Sequence, residues 1–160
     1  MLIKLQEAGV YVERGKNNFS VSAPKTLHAV SQIKTSIHPG FPTDLQAPFA
    51  VLMTQAQGTT HIFETLFDGR LSYLYELEKM GARFDILNKH EAVIAGPTQL
   101  KGASIQSCDI RAGAAMVIAA LAAQGKSEIT HINYIDRGYE KLDQKLNKLG
   151  AHISRIALGT

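Results

Sequence analysis

Leu-Glu-Lys-Met-Gly-Ala-Arg-Phe at residues 77–84 and Leu-Asn-Lys-Leu-Gly-Ala-His-Ile at residues 146–153 are two versions of one sequence. Before the first glycine, Tyr73, Leu77 and Met80 follow the spacing of one apolar face of a helix, and the second copy repeats that spacing. A glycine directly after such a helix favours a left-handed cap, and the alternating residues beyond it favour a strand. The repeated stretch therefore predicts a helix, a tight turn and a strand in each copy.

The repetition extends upstream of these stretches. Residues 44–47 match residues 109–112, and each match opens a long apolar run. A third, partial copy at residues 5–10 resembles the segment around Gly81. We predict a single domain over residues 1–160 that is truncated at its N-terminus, with repeat units at about residues 1–22 (partial), 23–90 and 91–156. A chain that begins inside a unit is expected to be completed by a missing N-terminal half or by self-association.

Each unit is predicted to contain two strands, a helix, a strand, a second helix and a final strand. The predicted helices cover about residues 45–57, 71–80, 111–124 and 139–149. The predicted strands lie near residues 10–14, 18–22, 31–36, 60–64, 83–87, 91–95, 102–107, 128–133 and 151–156. Seven alanines between positions 112 and 123 indicate a buried helix that approaches its neighbours closely. The pattern predicts an α/β (α+β) fold.

Composition and charge exclude several classes of partner. The 160 residues carry a net charge of +3 that is spread along the chain, which argues against nucleic acid and membranes as partners. No apolar run approaches the roughly 18 residues that span a bilayer, and the N-terminus lacks the pattern of a signal peptide. The single cysteine, Cys108, allows no internal disulfide, and the six histidines show no metal-ligand spacing. We therefore expect a cytoplasmic protein without a metal or other cofactor.

Two aspartates begin the long helices of the two complete units. An aspartate in this place can cap free backbone N–H groups, which is the purely structural alternative for both Asp44 and Asp109. The copies differ in the preceding segment, because the stretch from Pro24 to Asp44 is clearly longer than the stretch from Pro97 to Asp109. The longer segment contains residues 38–43, which two prolines and a glycine stiffen. A rigid loop of this kind favours a carboxylate that positions a substrate.

Three arginines occupy related places in the repeats. Arg70 and Arg137 both lie between a strand and the second helix of a unit, and Arg111 lies at the start of the alanine-rich helix. If the units pack with approximate symmetry, the three guanidinium groups converge on one cleft. Arginine binds carboxylate and phosphate groups in a bidentate manner, so such a cluster predicts an anionic ligand. The alternative is that each arginine forms an ordinary surface pair with a nearby aspartate.

Four ordered segments resemble motifs of one enzyme family. Residues 38–46 resemble its Pro-Gly-Phe-Pro-Thr-Asp signature, and residues 64–70, 109–112 and 135–140 resemble three further motifs that each contain an arginine. The chain is therefore similar to the UDP-N-acetylglucosamine 1-carboxyvinyltransferases, which are enolpyruvyl transferases. The resemblance covers their C-terminal part only.

The resemblance implies both a fold and an activity. The implied fold is an inside-out, barrel-like α/β domain with helices inside and sheets outside, built of repeated units that are each as long as the interval from Leu77 to Leu146. The implied activity transfers enolpyruvate from phosphoenolpyruvate to the 3-hydroxyl of UDP-N-acetylglucosamine and releases phosphate, the first committed step of peptidoglycan synthesis. These two substrates are the implied partners.

The resemblance also implies roles for individual residues. Asp44 matches the aspartate that contacts the sugar hydroxyl and is proposed as its general base, and Asp109 matches a second active-site aspartate. Leu66 matches a position whose backbone contacts the nucleotide sugar. Arg137 matches an arginine that binds phosphoenolpyruvate. The expected catalytic residues are Asp44, Asp109 and Arg137, and the expected substrate-binding residues are Asp44, Leu66, Arg70, Arg111 and Arg137.

The chain departs from the family pattern mainly by what it lacks. The family's mobile loop with its catalytic Cys or Asp belongs to the absent part, and Cys108 stands in the wrong motif to replace it. We therefore expect the 160-residue chain to be inactive alone. Two alternatives stay open: a non-enzymatic nucleotide-sugar-binding domain and, although the four motifs argue against it, a shikimate-pathway enolpyruvyl transferase.

Overall fold

The fold consists of strands and helices over residues 1–156, the part of the chain that the computed structural model describes. The strands are β1 (Tyr11–Arg14), β2 (Phe19–Ser22), β3 (Gln32–Lys34), β4 (Gly58–Phe63), β5 (Arg83–Asn88), β6 (Glu91–Gly96), β7 (Ser104–Gln106) and β8 (Glu128–Thr130). The helices are α1 (Leu2–Glu7), α2 (Gln46–Thr54), α3 (Tyr73–Lys79), α4 (Ile110–Ala122), α5 (Asn133–Gly138) and α6 (Leu142–Lys148), and a 3-10 turn at Thr43–Leu45 precedes α2. The predicted α/β class is confirmed. None of the helices in this described part is long and apolar enough to cross a lipid bilayer.

A parallel β-α-β unit occurs twice in the chain. Strand β3 pairs with β4 around the intervening α2, and β7 pairs with β8 around α4. The first unit continues through α3 into the antiparallel hairpin β5–β6, whose strand β6 also pairs with β4. The resulting sheet has the strand order β3-β4-β6-β5, whereas β1 and β2 form a separate antiparallel hairpin after α1. A helix followed by a hairpin therefore also occurs twice, as α1–β1–β2 and as α3–β5–β6.

The core forms where α2 and α4 pack against each other and against the inner faces of the sheets. Ile33, Ile62 and Ile94 of the four-stranded sheet are fully buried on that inner face. Burial of one such side chain contributes about 1.5–3 kcal/mol, so this contact is a major source of stability. The arrangement places helices inside and sheets outside, as the family resemblance implied.

The small side chains of α4 are needed because its neighbours approach closely. Four of the seven alanines are buried, which confirms the prediction for the first part of the helix: Ala112, Ala114, Ala115 and Ala119. Further along the helix, Ile118 and Leu121 are nearly half exposed. A Cβ atom on Gly113 would lie 2.7 Å from Cγ1 of Ile135 in α5 and would overlap the hydroxyl of Ser107. Helix α5 is therefore held against α4 by a contact that leaves no room for a side chain at position 113.

Three helices end in the same way. After α1, α3 and α6 a glycine adopts a left-handed backbone, with φ of 88° at Gly9, 91° at Gly81 and 96° at Gly150. The N–H group of the next residue then donates to the carbonyl of a leucine five residues earlier, at 2.9, 3.0 and 3.1 Å respectively. These bonds satisfy carbonyl groups that have no partner inside the helix. The accepting residues are Leu5, Leu77 and Leu146. The predicted glycine caps are confirmed.

The strand predicted at residues 151–156 is wrong. No residue of that segment is in a strand. The side-chain amide of Asn147 instead accepts from the N–H of Ile153 at 2.9 Å and donates to its carbonyl at 2.8 Å. A side chain thus satisfies the backbone groups that a neighbouring strand would otherwise bind. Residues 157–160 of the predicted domain lie outside the described part.

The region between β8 and α6 also differs from its prediction. The strand predicted over residues 128–133 ends at Thr130, because α5 begins at Asn133. The helix predicted over residues 139–149 begins only at Leu142, after a left-handed turn at Lys141 with φ of 48°. The additional short helix α5 buries Ile135 against α4 and carries Arg137 in its last turn.

We expect the substitution Gly81→Ala to lower the free energy of unfolding by about 1–2 kcal/mol, because alanine is strained at positive φ. A Cβ atom at this position meets nothing within 4 Å, so the loss measures the backbone conformation alone. Urea denaturation followed by circular dichroism measures the change. The matched control is Gly81→Asn, which tolerates the left-handed region and should cost clearly less. Equal losses in the two variants would show that the cap conformation is not the cause.

Candidate functional site

Asp44 lies at the end of a loop that is anchored to the core. Phe41 is buried and packs edge-to-face on Phe49 of α2, with 5.4 Å between the ring centroids. Thr43 donates from its hydroxyl to the buried carboxylate of Glu64 at 2.8 Å. The next residue, Asp44, has a side chain that is 69% exposed and caps neither the 3-10 turn nor α2. The loop therefore fixes the backbone of Asp44 and leaves its carboxylate accessible.

Asp109 is a helix cap. Its Oδ1 atom accepts from the backbone N–H groups of Arg111 and Ala112 at 2.7 and 3.0 Å. A cap of this kind contributes about 1 kcal/mol to stability. The structural alternative raised for both aspartates thus describes Asp109 and does not describe Asp44.

The Arg111 side chain joins the two aspartates. Its Nη1 atom lies 3.0 Å from Oδ1 of Asp44, and its Nε atom lies 3.4 Å from Oδ1 of Asp109. Asp44 precedes α2 and Arg111 lies in α4, so the pair connects the two β-α-β units. An ion pair with an exposed carboxylate contributes at most about 1 kcal/mol to stability. Its consequence is mainly geometric, because it determines where the Asp44 carboxylate points.

Asp44 and Arg111 line an open cleft of about 540 Å³. Arg137 lies on the same cleft, and none of the ion pairs within residues 1–156 involves it. A volume of this size falls within the range of about 300–1,000 Å³ that is usual for ligand pockets. The remaining lining residues are Asp109, Ile110, Tyr134, Gly138 and Tyr139.

Arg70 lines a second space, which Arg111 also lines. Its guanidinium group stacks 4.4 Å from the centre of the Phe67 ring. Together with Arg111 it lines a much smaller cavity of about 10 Å³, which also contacts Asp109. The structure therefore brings Asp44, Asp109, Arg111 and Arg137 to one cleft and places Arg70 at an adjoining cavity. Leu66 lines neither of these spaces.

The charges around these two spaces are unequal. The residues that line these two spaces include three arginines and two aspartates: Arg70, Arg111, Arg137, Asp44 and Asp109. The positive charge of Arg111 is balanced by its two contacts with carboxylates. The part of the chain that the structure describes supplies no ion-pair partner for Arg70 or Arg137. Two guanidinium groups are thus free to bind an anion, the ligand class for which arginine is best suited.

Neither a reactive thiol nor a metal cluster is present among residues 1–156. Burial raises the pKa of the Cys108 thiol, and the nearby negative charges of Glu76 and Asp109 act in the same direction. A thiol with a raised pKa remains protonated at neutral pH and is a poor nucleophile. No group of three His, Cys, Asp or Glu side chains in this range is arranged to hold a metal ion.

A family model supplies the context for this geometry. The model of EPSP synthase (3-phosphoshikimate 1-carboxyvinyltransferase) matches residues 1–146, which is most of the chain. The chain belongs to the EPSP synthase family. Both β-α-β units, and with them Asp44, Asp109 and all three arginines of the site, lie inside the matched residues.

Curated relatives within the family carry one name. The chain is 45% identical over 152 residues to UDP-N-acetylglucosamine 1-carboxyvinyltransferase 2 of Geobacillus kaustophilus. It is 47% identical over 155 residues to the protein of the same name from Prochlorococcus marinus. These alignments cover 95% and 97% of the chain but only 35% and 36% of the relatives. The chain therefore spans about a third of the length of the relatives that it matches.

Solved structures agree with the family assignment. The enolpyruvyl transferase NikO from Streptomyces tendae superposes with a TM-score of 0.85 at 29% identity, over 94% of this chain and 35% of NikO. EPSP synthase from Acinetobacter baumannii superposes with a TM-score of 0.58 at 16% identity, over 81% of this chain and 31% of that protein. The second likeness shows the fold alone.

Sequence reasoning missed one buried group in this EPSP synthase family chain. Glu64 lies within the motif at residues 64–70, for which the family resemblance implies roles only for Leu66 and Arg70. The Glu64 side chain is 0% exposed, and its Oε1 atom accepts from the backbone N–H of Leu66 at 2.9 Å. A charged residue directly after a strand is usually exposed, so nothing in the sequence indicated its burial.

Two buried hydrogen-bonding groups line the small cavity beside Arg70. Gln46 is 2% exposed and Tyr73 is 1% exposed, and neither Nε2 of Gln46 nor the Tyr73 hydroxyl has a partner within the described residues. Burial raises the pKa of Tyr73 well above its ordinary value of 10.0, and the charge of Glu64 adds to the shift. The phenol therefore stays protonated. The cavity has about the volume that one water molecule needs.

We expect Tyr73→Phe to retain the fold and to raise the free energy of unfolding at pH 7 by about 1 kcal/mol, because it removes a buried hydroxyl without a protein partner. The free energy of unfolding should rise because burying a polar group without a partner costs stability. If a water molecule in the cavity bonds this hydroxyl strongly, the substitution will instead be destabilising. Urea denaturation distinguishes the two results, and Tyr75→Phe, at an exposed position of the same helix, serves as the control.

The same variant tests the pH dependence. A raised pKa in the folded state means that the phenol loses its proton more readily after unfolding. The effect of this group on the free energy of unfolding is therefore constant well below pH 10.0 and becomes less favourable as the pH rises above that value. The free energy of unfolding of the parent protein should therefore fall relative to Tyr73→Phe between pH 9 and pH 11. A constant difference over this range would contradict the prediction.

Proposed function

We propose that this chain forms part of a transferase that moves enolpyruvate from phosphoenolpyruvate to the 3-hydroxyl of UDP-N-acetylglucosamine and releases phosphate. Relatives at 45% and 47% identity bear the name of that activity. The observation that carries the proposal is the exposed carboxylate of Asp44, held 3.0 Å from Arg111 in a cleft that also contains Arg137. The hydroxyl group of the acceptor needs a base such as the Asp44 carboxylate. The two anionic substrates need cations such as Arg111 and Arg137.

Asp44 is the proposed general base. Its carboxylate is exposed and is not used as a helix cap, so an oxygen atom is available to a hydroxyl group of the substrate. As the hydroxyl oxygen forms its new bond to the enolpyruvyl carbon, its proton passes to the Asp44 carboxylate and the phosphate group leaves. Arg111 contacts Oδ1 of Asp44 and holds the carboxylate in one orientation.

Arg137 and Arg70 are the proposed anion-binding groups. Both are free of ion pairs within residues 1–156, so binding a phosphate or carboxylate would not require an existing pair to break. Arg137 lies on the larger cleft with Asp44, and we assign it to phosphoenolpyruvate. Asp109 is proposed to act from the base of the cleft, where it both caps α4 and contacts Arg111. Leu66 is proposed to contact the nucleotide sugar through its backbone.

Turnover is proposed to need residues beyond this chain. The chain aligns with only 35% of the Geobacillus relative, so groups contributed by the rest of such an enzyme are not among its 160 residues. We propose that the chain alone is inactive and that a partner supplies the remaining part of the active site. We further propose a cytoplasmic role in peptidoglycan synthesis, because UDP-N-acetylglucosamine and phosphoenolpyruvate are substrates of that process.

The test is phosphate release from the two substrates when the chain is mixed with the part of the Geobacillus relative that lies outside the match. The chain alone should release none above background, and the mixture should show turnover. Submillimolar binding of either substrate to the chain, without turnover in the mixture, would favour a non-enzymatic binding domain instead. Turnover with shikimate 3-phosphate in place of the nucleotide sugar would identify the other acceptor.

In the active mixture, Asp44→Asn should lower kcat at least about 100-fold, because the amide cannot accept the proton of the acceptor hydroxyl. The fold should be kept, since the Asp44 side chain is exposed and its ion pair contributes little to stability. The control is Asp85→Asn, an exposed carboxylate on the edge strand β5, which should retain full activity. Near-normal turnover in Asp44→Asn would remove this residue from the mechanism.

A further inference from the structure

The buried carboxylate of Glu64 is surrounded by hydrogen-bond donors from three segments of the chain. Its Oε1 atom accepts from the hydroxyl of Thr35 at 2.8 Å and from the backbone N–H of Leu66 at 2.9 Å. Its Oε2 atom accepts from the hydroxyl of Thr43 at 2.8 Å. The group is 0% exposed, and within residues 1–156 it forms no ion pair. Hydrogen bonds alone compensate its burial.

Thr35 is fixed by the same network. Its hydroxyl accepts from the backbone N–H of Thr65 at 2.9 Å while it donates to Glu64, and its carbonyl accepts from the Thr65 hydroxyl at 2.6 Å. The end of β3 and the segment after β4 are therefore tied together on both sides of Glu64. A fully satisfied buried network of this kind is rigid, since removing any member leaves another polar group without a partner.

The fold itself does not require this carboxylate. The second β-α-β unit has the same parallel arrangement of strands and helix, yet the strand registers that match Phe63 with Thr130 place His131 where Glu64 stands. That unit also lacks the inserted loop, because only Ser107 and Cys108 separate β7 from Asp109. Glu64 is thus present where a long loop delivers an accessible aspartate and absent where a short loop delivers a capping aspartate.

We propose that Glu64 is a positioning residue of this site, which holds the Asp44 loop through Thr43 and the Leu66 backbone through its N–H group. The proposal rests on the proposed transferase function for the identity of the ligand. Thr43 directly precedes Asp44, so the hydrogen bond between Thr43 and Glu64 fixes the position of the Asp44 backbone beside the cleft. Arg111 then sets the direction of that carboxylate.

The hydrogen bond between Glu64 and Leu66 also determines which backbone group of Leu66 remains available to a ligand. Because the Leu66 N–H is bound by Glu64, the group left for a ligand is its carbonyl oxygen, which accepts no hydrogen bond from any described residue. A carbonyl oxygen accepts hydrogen bonds and repels anions. Leu66 is therefore suited to a hydroxyl or amide N–H group of the sugar, and not to its phosphates.

The first test is hydrogen exchange on the 160-residue chain without substrates. In Glu64→Gln residues 36–45 should exchange about tenfold faster than in the parent, because the amide nitrogen that replaces one carboxylate oxygen cannot accept from the Thr43 hydroxyl. The matched control is Glu76→Gln, a carboxylate on α3 that is 5% exposed and accepts from the backbone N–H of Gln106 at 2.9 Å. Its loss should destabilise the chain but leave exchange over residues 36–45 unchanged.

The second test is turnover in the mixture described above. Glu64→Gln should lower kcat about 10- to 100-fold, because small displacements of a catalytic group have effects of this size, while KM for phosphoenolpyruvate changes little. Thr43→Val should reproduce the loss, and Thr43→Ser, which keeps the hydroxyl, should restore it. Glu76→Gln should keep kcat within about twofold of the parent, because neither Glu76 nor its partners Lys79 and Gln106 line the cleft.

The outcomes separate the two proposals. Unchanged exchange over residues 36–45 in Glu64→Gln would overturn the positioning role, whether or not the mixture is active. Equal loss of kcat in Glu64→Gln and Glu76→Gln would also overturn it, because the effect would then be general destabilisation. Faster exchange confined to Glu64→Gln and Thr43→Val, in a mixture that shows no turnover, would support the positioning role and count against the transferase.

Discussion

The packing of α2 against α4 determines where the site can form. Asp44 just before α2 lies 3.0 Å from Arg111 in the first turn of α4, so the starts of the two helices meet at one place. The buried alanines of α4 and the bare backbone at Gly113 permit this close approach and also bring α5 and its Arg137 to the same cleft. The charged groups are thus assembled by an apolar contact, and a change in the core would move the site as well.

The two β-α-β units share a backbone plan but use their aspartates differently. In the second unit the strand leads almost directly into α4, and Asp109 bonds the free N–H groups of that helix. In the first unit the inserted loop is anchored by Phe41 and Thr43, and Asp44 is left exposed. A repeated fold therefore supplies one structural and one accessible carboxylate. The difference between the units, rather than their similarity, gives the cleft its chemistry.

Local features could be predicted from the sequence because they depend on a few neighbouring residues. The left-handed caps at Gly81 and Gly150 and the buried alanine face of α4 are of this kind. The strand predicted at residues 151–156 failed because alternation is a local signal, whereas a strand needs a partner, and Asn147 took the place of one. The burial of Glu64 was not predictable either, since it depends on donors from distant parts of the chain, Thr35 and Thr43.

Positive groups line the cleft and its adjoining cavity, whereas one of the nearby carboxylates is buried. Three guanidinium groups face the cleft and its adjoining cavity, whereas Glu64 is enclosed behind them and close enough to act on Tyr73. With Asp44 and Asp109 the local sum is three positive and three negative charges, yet the negative charge of Glu64 is inside and the unpartnered Arg137 is exposed. Arg111 already contacts two carboxylates, whereas no described carboxylate pairs with Arg137. The arrangement therefore leaves the guanidinium group of Arg137 available to an anionic substrate in the cleft, and it keeps the Glu64 carboxylate where it holds the loop of the base.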